Sequence, residues 1–277
     1  MSTRKLDWKD DLIAAAFAFL AMALLLSTVG DLGYARDEGF YFAAADTYGR
    51  WFEILFSNPK AAFDPKTVDS FWRTNSEHPG LIKSLFALSH VILQKKLKLF
   101  PLDGTSYRFP AIVLSGLAVA FVYRFGAHIR GRLAGVCAAL ALFFMPRYFY
   151  HAHLACFDVP VVTMFFLTVY AYWKSMERDG WFWPIWTGIC FGLTLDTKHN
   201  AWFLPILFVA HAGAVVVRAM RTGRETRPIA GRALTTLCSM AFFGPIVMYA
   251  LWPWIWHDTM PRLRAYANFH LHHDYYN

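Results

Sequence analysis

The stretch ARDEGFYF, residues 35 to 42, sets two carboxylates side by side, Asp37 and Glu38, just after an apolar run from Asp11 to Val29. Neighbours on a helix differ by ~100° in direction, so the two need not share one task. One can activate a substrate hydroxyl while the other anchors the loop. The competing reading is a polar cap on the helix EGFYFAAADTYGRWFEILF, where acidic residues suit the positive dipole end. A second group lies in PRYFYHAHLACFDVP, with Arg147, His151, His153 and Asp158, and with Pro160 opening the next helix. His, His and Asp form a set suited to general acid-base work. Equally, Asp158 can be a plain N-cap and the histidines can face interfacial water. In LDTKHNAWFLP, Lys198 and His199 head an apolar run, where a cation and a helix amino terminus can together hold a phosphate. A lysine snorkelling to the headgroups is the alternative, and Arg108 in YRFPAI carries the same two readings. The segment FHLHHDYYN holds His270, His272, His273 and Asp274, but H-x-H-H lacks the i, i+4 spacing of common zinc helices. No metal is expected, and the segment reads as a polar cover.

These groups must be positioned by membrane helices. Of 277 residues, 57% are hydrophobic, 18% aromatic and only 17% charged, too apolar for an ordinary soluble domain. The formal charge of +8 sits in short segments between apolar runs, so it orients the chain in a bilayer and does not indicate nucleic acid. Cys137, Cys156, Cys190 and Cys238 have neither zinc nor paired spacing. Arg4, Lys5 and Lys9 before the first run predict an uncleaved signal anchor with a cytoplasmic amino terminus.

The pattern predicts an all-α integral membrane protein with about seven spans, near 12–29, 109–127, 133–150, 159–176, 181–195, 200–217 and 233–252. A long first external loop, 30–108, contains juxtamembrane helices. One of them, HPGLIKSLFALSHVILQ, opens with Pro79 and aligns Lys83, Ala87, His90, Gln94 and Lys98 on one stripe, as in a helix lying in the interface. Counting it as a span would turn the segment with Arg218, Arg221, Arg224, Arg227 and Arg232 to the outside, against the positive-inside tendency. With seven spans, Asp37, Glu38, Glu77, His78, Arg108, His151, His153, Asp158, Lys198 and His199 share the external face. Ionisable groups near membrane depth line cavities or pathways, and a polar external cavity is expected.

Together ARDEGFYF, EHPGL, YRFPAIVLSGLAVAFVYRFG and PRYFYHAHLACFDVPVV resemble the amino-terminal membrane module of polyprenyl-phosphate-dependent sugar transferases of the GT-C fold. The likeness is to the protein O-mannosyltransferase and lipid A aminoarabinose transferase group, bacterial family 39 enzymes included, and runs from the first span to about Trp256. It implies catalytic roles for Asp37, Glu38 and Asp158, with the Asp of the pair activating the acceptor. It implies donor-phosphate contacts for Arg108, Lys198 and His199, and leaves Glu77, His78, His151 and His153 as cavity-lining candidates. Relatives usually carry two prolines after the His or Lys of the loop motif, whereas here Gly80 takes the second place.

The implied function is transfer of a sugar, with inversion, from a polyprenyl-phosphate donor to an acceptor hydroxyl of a protein, lipid or glycan on the external or periplasmic face of the inner membrane. The donor is a substrate, and no cofactor is required. The chain is expected to lack a carboxyl-terminal region that relatives possess. Rival readings are a transporter or flippase for a lipid-linked saccharide, which usually shows internal repeats absent from this sequence, and a non-catalytic subunit on the same fold.

Overall fold

The computed structural model describes residues 4–272, which form helices and turns without a strand. Four helical segments are long and apolar enough to cross a membrane: Trp8–Asp31, Asp103–Arg130, His199–Arg221 and Arg227–Leu251. A fifth is added if Arg132–Phe143 and Pro146–Ala152, bent by 68°, count as one span. The protein is an all-α membrane protein. Helix Asp158–Glu177 is less apolar, with Asp158, Lys174 and Glu177 near its ends, and Phe182–Leu195 has only 14 residues. The chain divides into two compact units, Met1–Asn75 with Ile82–Thr163, and Ser76–Leu81 with Met164–Asn277.

In the first unit, α1 (Trp8–Thr28) packs along α6 (Asp103–Arg130). Gly116 lets the α1 backbone approach, because a Cβ there would collide with the Ala18 carbonyl and Met22. Polar groups clamp both ends of α1. At its start Asp10, fully buried, accepts from Arg4 and Arg132 at 2.9 Å each and from the Tyr123 hydroxyl at 3.2 Å. Gly131, at φ +91°, makes the turn into α7 (Arg132–Phe143), a left-handed conformation that favours glycine. The bend into α8 (Pro146–Ala152) follows from Pro146, which holds Met145 extended. Between α1 and α6 lie α2 (Arg36–Ser57), α3 (Pro59–Ala62), α4 (Pro65–Trp72) and α5 (Leu81–Ser89).

Helix α5 continues into a π-helical turn, His90–Lys96. Of the predicted polar stripe, Lys83, Ala87 and His90 are buried, as are the apolar Ile82 and Phe86, while Gln94 is half-buried and Lys98 exposed. Pro110 inside α6 cannot donate to the Ser106 carbonyl one turn back. That carbonyl accepts the Ser89 hydroxyl at 2.5 Å instead, and His90 Nδ1 lies 2.8 Å from the Ser106 hydroxyl.

In the second unit, α9 (Asp158–Glu177), which starts in the first unit, is followed by α10 (Phe182–Leu195), α11 (Phe203–Arg221) and α12 (Arg227–Leu251), then α13 (Thr259–His272). Helices α10 and α12 run parallel at backbone contact, because a Cβ on Gly188 would meet the Ser239 carbonyl and one on Gly192 the Val247 side chain at 2.5 Å. Their shared amino-terminal end collects Arg178 and Arg232, and α11 delivers Arg218 and Arg221 to it. Asp196, Lys198, His199 and Trp252 gather at the opposite end. Gly188→Ala should therefore force α10 and α12 apart and cost about 1–3 kcal/mol. Gly213→Ala, with nothing within 4 Å of the added carbon, should be neutral or stabilising. Melting of both variants in detergent measures the contrast, and equal shifts would reject close packing at Gly188.

Candidate active site

The site in the first unit is organised by one buried ion pair. Glu38 is the third residue of α2, and its carboxylate turns back to accept from the Ala35 N–H at 2.9 Å. Arg108, one turn into α6, donates from Nε to Oε1 and from Nη2 to Oε2 of Glu38, both at 2.8 Å. The Ala155 N–H adds a fourth bond to Oε1 at 2.9 Å. The remaining arginine donors go to the carbonyls of Val29 and Leu32, each at 3.1 Å, and of Gly33 at 2.8 Å. All five guanidinium N–H groups and both carboxylate oxygens are thus engaged inside the protein. Glu38 is 0% and Arg108 2% exposed.

This geometry bears on two expected roles. Arg108 has no N–H left for a donor phosphate, and Glu38 no lone pair turned to solvent for a substrate. Both tie the end of α1, the start of α2 and the 153–157 loop to α6. His153 is a third such tie: buried, it donates from Nδ1 to the Phe149 carbonyl at 2.8 Å, and its Nε2 takes the Thr28 hydroxyl at 2.8 Å. Burial lowers its pKa from the ordinary value. It is a strut between α8 and the end of α1.

Asp37 points the other way. As the second residue of α2 it is exposed. One turn later Tyr41 packs edge-on against Phe157, with ring centroids 4.6 Å apart, which brings the start of α2 against the start of α9. There Asp158, also exposed, lies 3.1 Å from His151 Nδ1. Between these acids sits Cys156, whose thiol is pushed up to about 12 by burial first and then by Glu38, Asp158 and Asp37. Three carboxylates thus act on one neutral sulfur. Cys156 carried no sequence signal, since a lone cysteine in an apolar stretch resembles any core residue.

Polar candidates of the second unit cluster separately. Lys198 precedes a 3-10 turn, His199–Trp202, that leads into α11. The His199 ring stacks on His270 at 4.0 Å, His270 Nε2 lies 2.9 Å from the Glu77 carbonyl, and His78 lies 6.3 Å from His270. Buried Asp196 accepts the Gly80 N–H at 3.2 Å. A proline at position 80 would lack that donor, which accounts for the absence of a second proline at this place in the loop motif. His273 and Asp274 lie outside the described residues.

A model of the dolichyl-phosphate-mannose-protein mannosyltransferase family matches residues 88–249, more than half of the chain. The chain belongs to that family. A search of curated proteins gave no match. Membership makes the protein a membrane glycosyltransferase of the GT-C type. Arg108, Asp158, Lys198 and His199 fall within the family match, whereas Asp37 and Glu38 precede it.

Glu38→Gln should leave the Arg108 charge buried without a counterion and cost about 3–5 kcal/mol of stability. Asp37→Asn, on an exposed side chain, should leave melting within about 0.5 kcal/mol of the parent. Thermal unfolding in detergent tests the pair, and an unchanged Glu38→Gln midpoint would overturn the strut assignment.

Proposed function

We propose that this protein transfers a sugar from a polyprenyl phosphate to an acceptor hydroxyl with inversion, and that Asp37 activates the acceptor. The observation that carries the reading is the parting of the acidic pair: Glu38 is consumed by Arg108 while Asp37 stays exposed on the same rigid helix start, in the neighbourhood of Asp158 and His151. In this reaction the Asp37 carboxylate accepts the hydroxyl proton as the acceptor oxygen forms its bond to the anomeric carbon. The bond from that carbon to the phosphate oxygen breaks, and the lipid phosphate leaves with the electron pair. Attack opposite the leaving group inverts the centre. Asp158, paired with His151, orients the acceptor or accepts the proton onward. Lys198, with His199 beside it, carries the donor-phosphate role in the second unit, where positive charge counts more as the phosphate departs than when the donor binds.

Transfer rate against donor concentration separates these roles. Asp37→Asn should lower turnover by about 10²- to 10⁴-fold with donor affinity retained. If Asp158→Asn does so and Asp37→Asn does not, the base is Asp158. Lys198→Met should reduce turnover more than affinity, with partial rescue by Lys198→Arg, whereas a merely snorkelling lysine would leave both unchanged.

The acceptor is a protein, lipid or glycan, and on a seven-span topology the reaction lies on the external face of the inner membrane with the amino terminus in the cytoplasm. The arginine-rich end of the second unit supports that orientation, since Arg218 and Arg221 close α11 and Arg227 opens α12. In intact cells a membrane-impermeant thiol reagent should label a cysteine at position 64 and spare one at position 224. The reverse pattern would reject this sidedness.

A further inference from the structure

At the arginine-rich end of the second unit, opposite its histidine cluster, the end of α9 and the starts of α10 and α12 enclose a cavity of about 280 Å³. Ser175, Arg178, Asp179, Trp181, Arg232 and Thr235 are among its lining residues. Neither hydroxyl is a free donor, since Ser175 donates to the Tyr172 carbonyl at 2.6 Å and Thr235 to the Gly231 carbonyl at 2.9 Å. Among the lining side chains, the two guanidinium groups carry the positive charge offered to the space.

Arg232 is held in place. Its Nε donates to Asp179 Oδ1 at 2.8 Å and its Nη1 to the Met176 carbonyl at 3.1 Å, while Nη2 makes no hydrogen bond among the described residues. Asp179 is itself largely exposed, so it directs the arginine without neutralising the site: two guanidinium groups against one carboxylate leave one net positive charge. Helices α10 and α12 both begin here, and their positive dipole ends add to that charge.

The rim has the composition of a membrane interface. Trp181 and Phe182 are 69% and 61% exposed, the residue types that settle at headgroup level, and Leu234 on α12 exposes apolar surface next to the lining residue Thr235. A compact basic cavity between membrane helices, bordered by exposed aromatic and aliphatic side chains, matches a headgroup phosphate attached to acyl chains. We propose that this cavity binds the phosphodiester of an anionic glycerophospholipid, with Arg178 and Arg232 on the phosphate and the acyl chains along the exposed apolar surface. The site is independent of the transfer reaction.

Native mass spectrometry of the full chain released from detergent, titrated with phosphatidylglycerol or phosphatidylcholine of identical acyl chains, tests this assignment. Phosphatidylglycerol should bind at least about tenfold more tightly. Arg178→Gln should weaken it about tenfold, as expected for loss of one charge-assisted phosphate contact. Arg224→Gln removes an arginine from the same basic segment that does not line the cavity, and should change affinity by less than about twofold. Arg178 is exposed, so folding should survive its replacement, and an unchanged melting temperature in phosphatidylcholine checks this. Equal affinity for the two lipids, or equal weakening by the two arginine variants, would overturn the site. Competition by free glycerol phosphate as strong as by the lipid would overturn the lipid assignment.

Discussion

The ion pair between Glu38 and Arg108 is the constraint on which the first unit depends. Seventy residues separate the partners, and the seven bonds they make reach the end of α1, the start of α2, α6 and the loop before α9. Removing two charges from water is costly, and such a pair is tolerable only when every remaining donor and acceptor is satisfied. Here each is. The pair therefore specifies geometry more than it adds net stability, because no other arrangement of these four segments would satisfy it.

Chemistry at the neighbouring residue follows from that closure. An exposed carboxylate on a mobile loop would sample many directions, whereas Asp37 rides on a helix start whose next side chain is locked on both oxygens. Orientation of this kind is worth several kcal/mol to a reaction between bound partners. The same lock brings the 153–157 loop against α2 through Ala155, so that Asp158 and His151 are set by the interaction that sets Asp37. Rigidity, and no extra functional group, is what Glu38 contributes.

Much of this was legible in the sequence, for reasons that differ from residue to residue. The ~100° step along a helix required Asp37 and Glu38 to diverge, but nothing local indicated which would turn inward, since that depends on an arginine seventy positions away. Arg108 was ambiguous for the same reason: a cation at the head of an apolar run looks alike whether it awaits a phosphate or is engaged by carbonyls. The histidines at 151 and 153 read as equivalents, although an intervening residue in a helical turn sends one towards Asp158 and the other into Thr28. The π-helical turn had no local sequence signal, and the contacts at its start, from Ser89 and His90, go to Ser106 on another helix. Helix polarity fared better. In the second unit the arginines gather at one helix end and Asp196, Lys198 and His199 at the other, as charge asymmetry along the chain predicts. The lack of a second proline at position 80 became intelligible only once the N–H there was seen to face Asp196.

The shortness of α10 has a mechanical consequence for the surrounding lipid. Fourteen residues rise about 21 Å, against a hydrocarbon layer of about 30 Å. On the seven-span reading, α10 is a span bounded by Arg178 and Trp181 at one end and by Asp196 and Lys198 at the other, and its glycine contacts hold it tightly to α12. Such a mismatch is met by drawing the two leaflets together locally. The enzyme would thus carry a dimple in the bilayer with it, lowering the elastic cost of residing in thin membranes and raising it in thick ones.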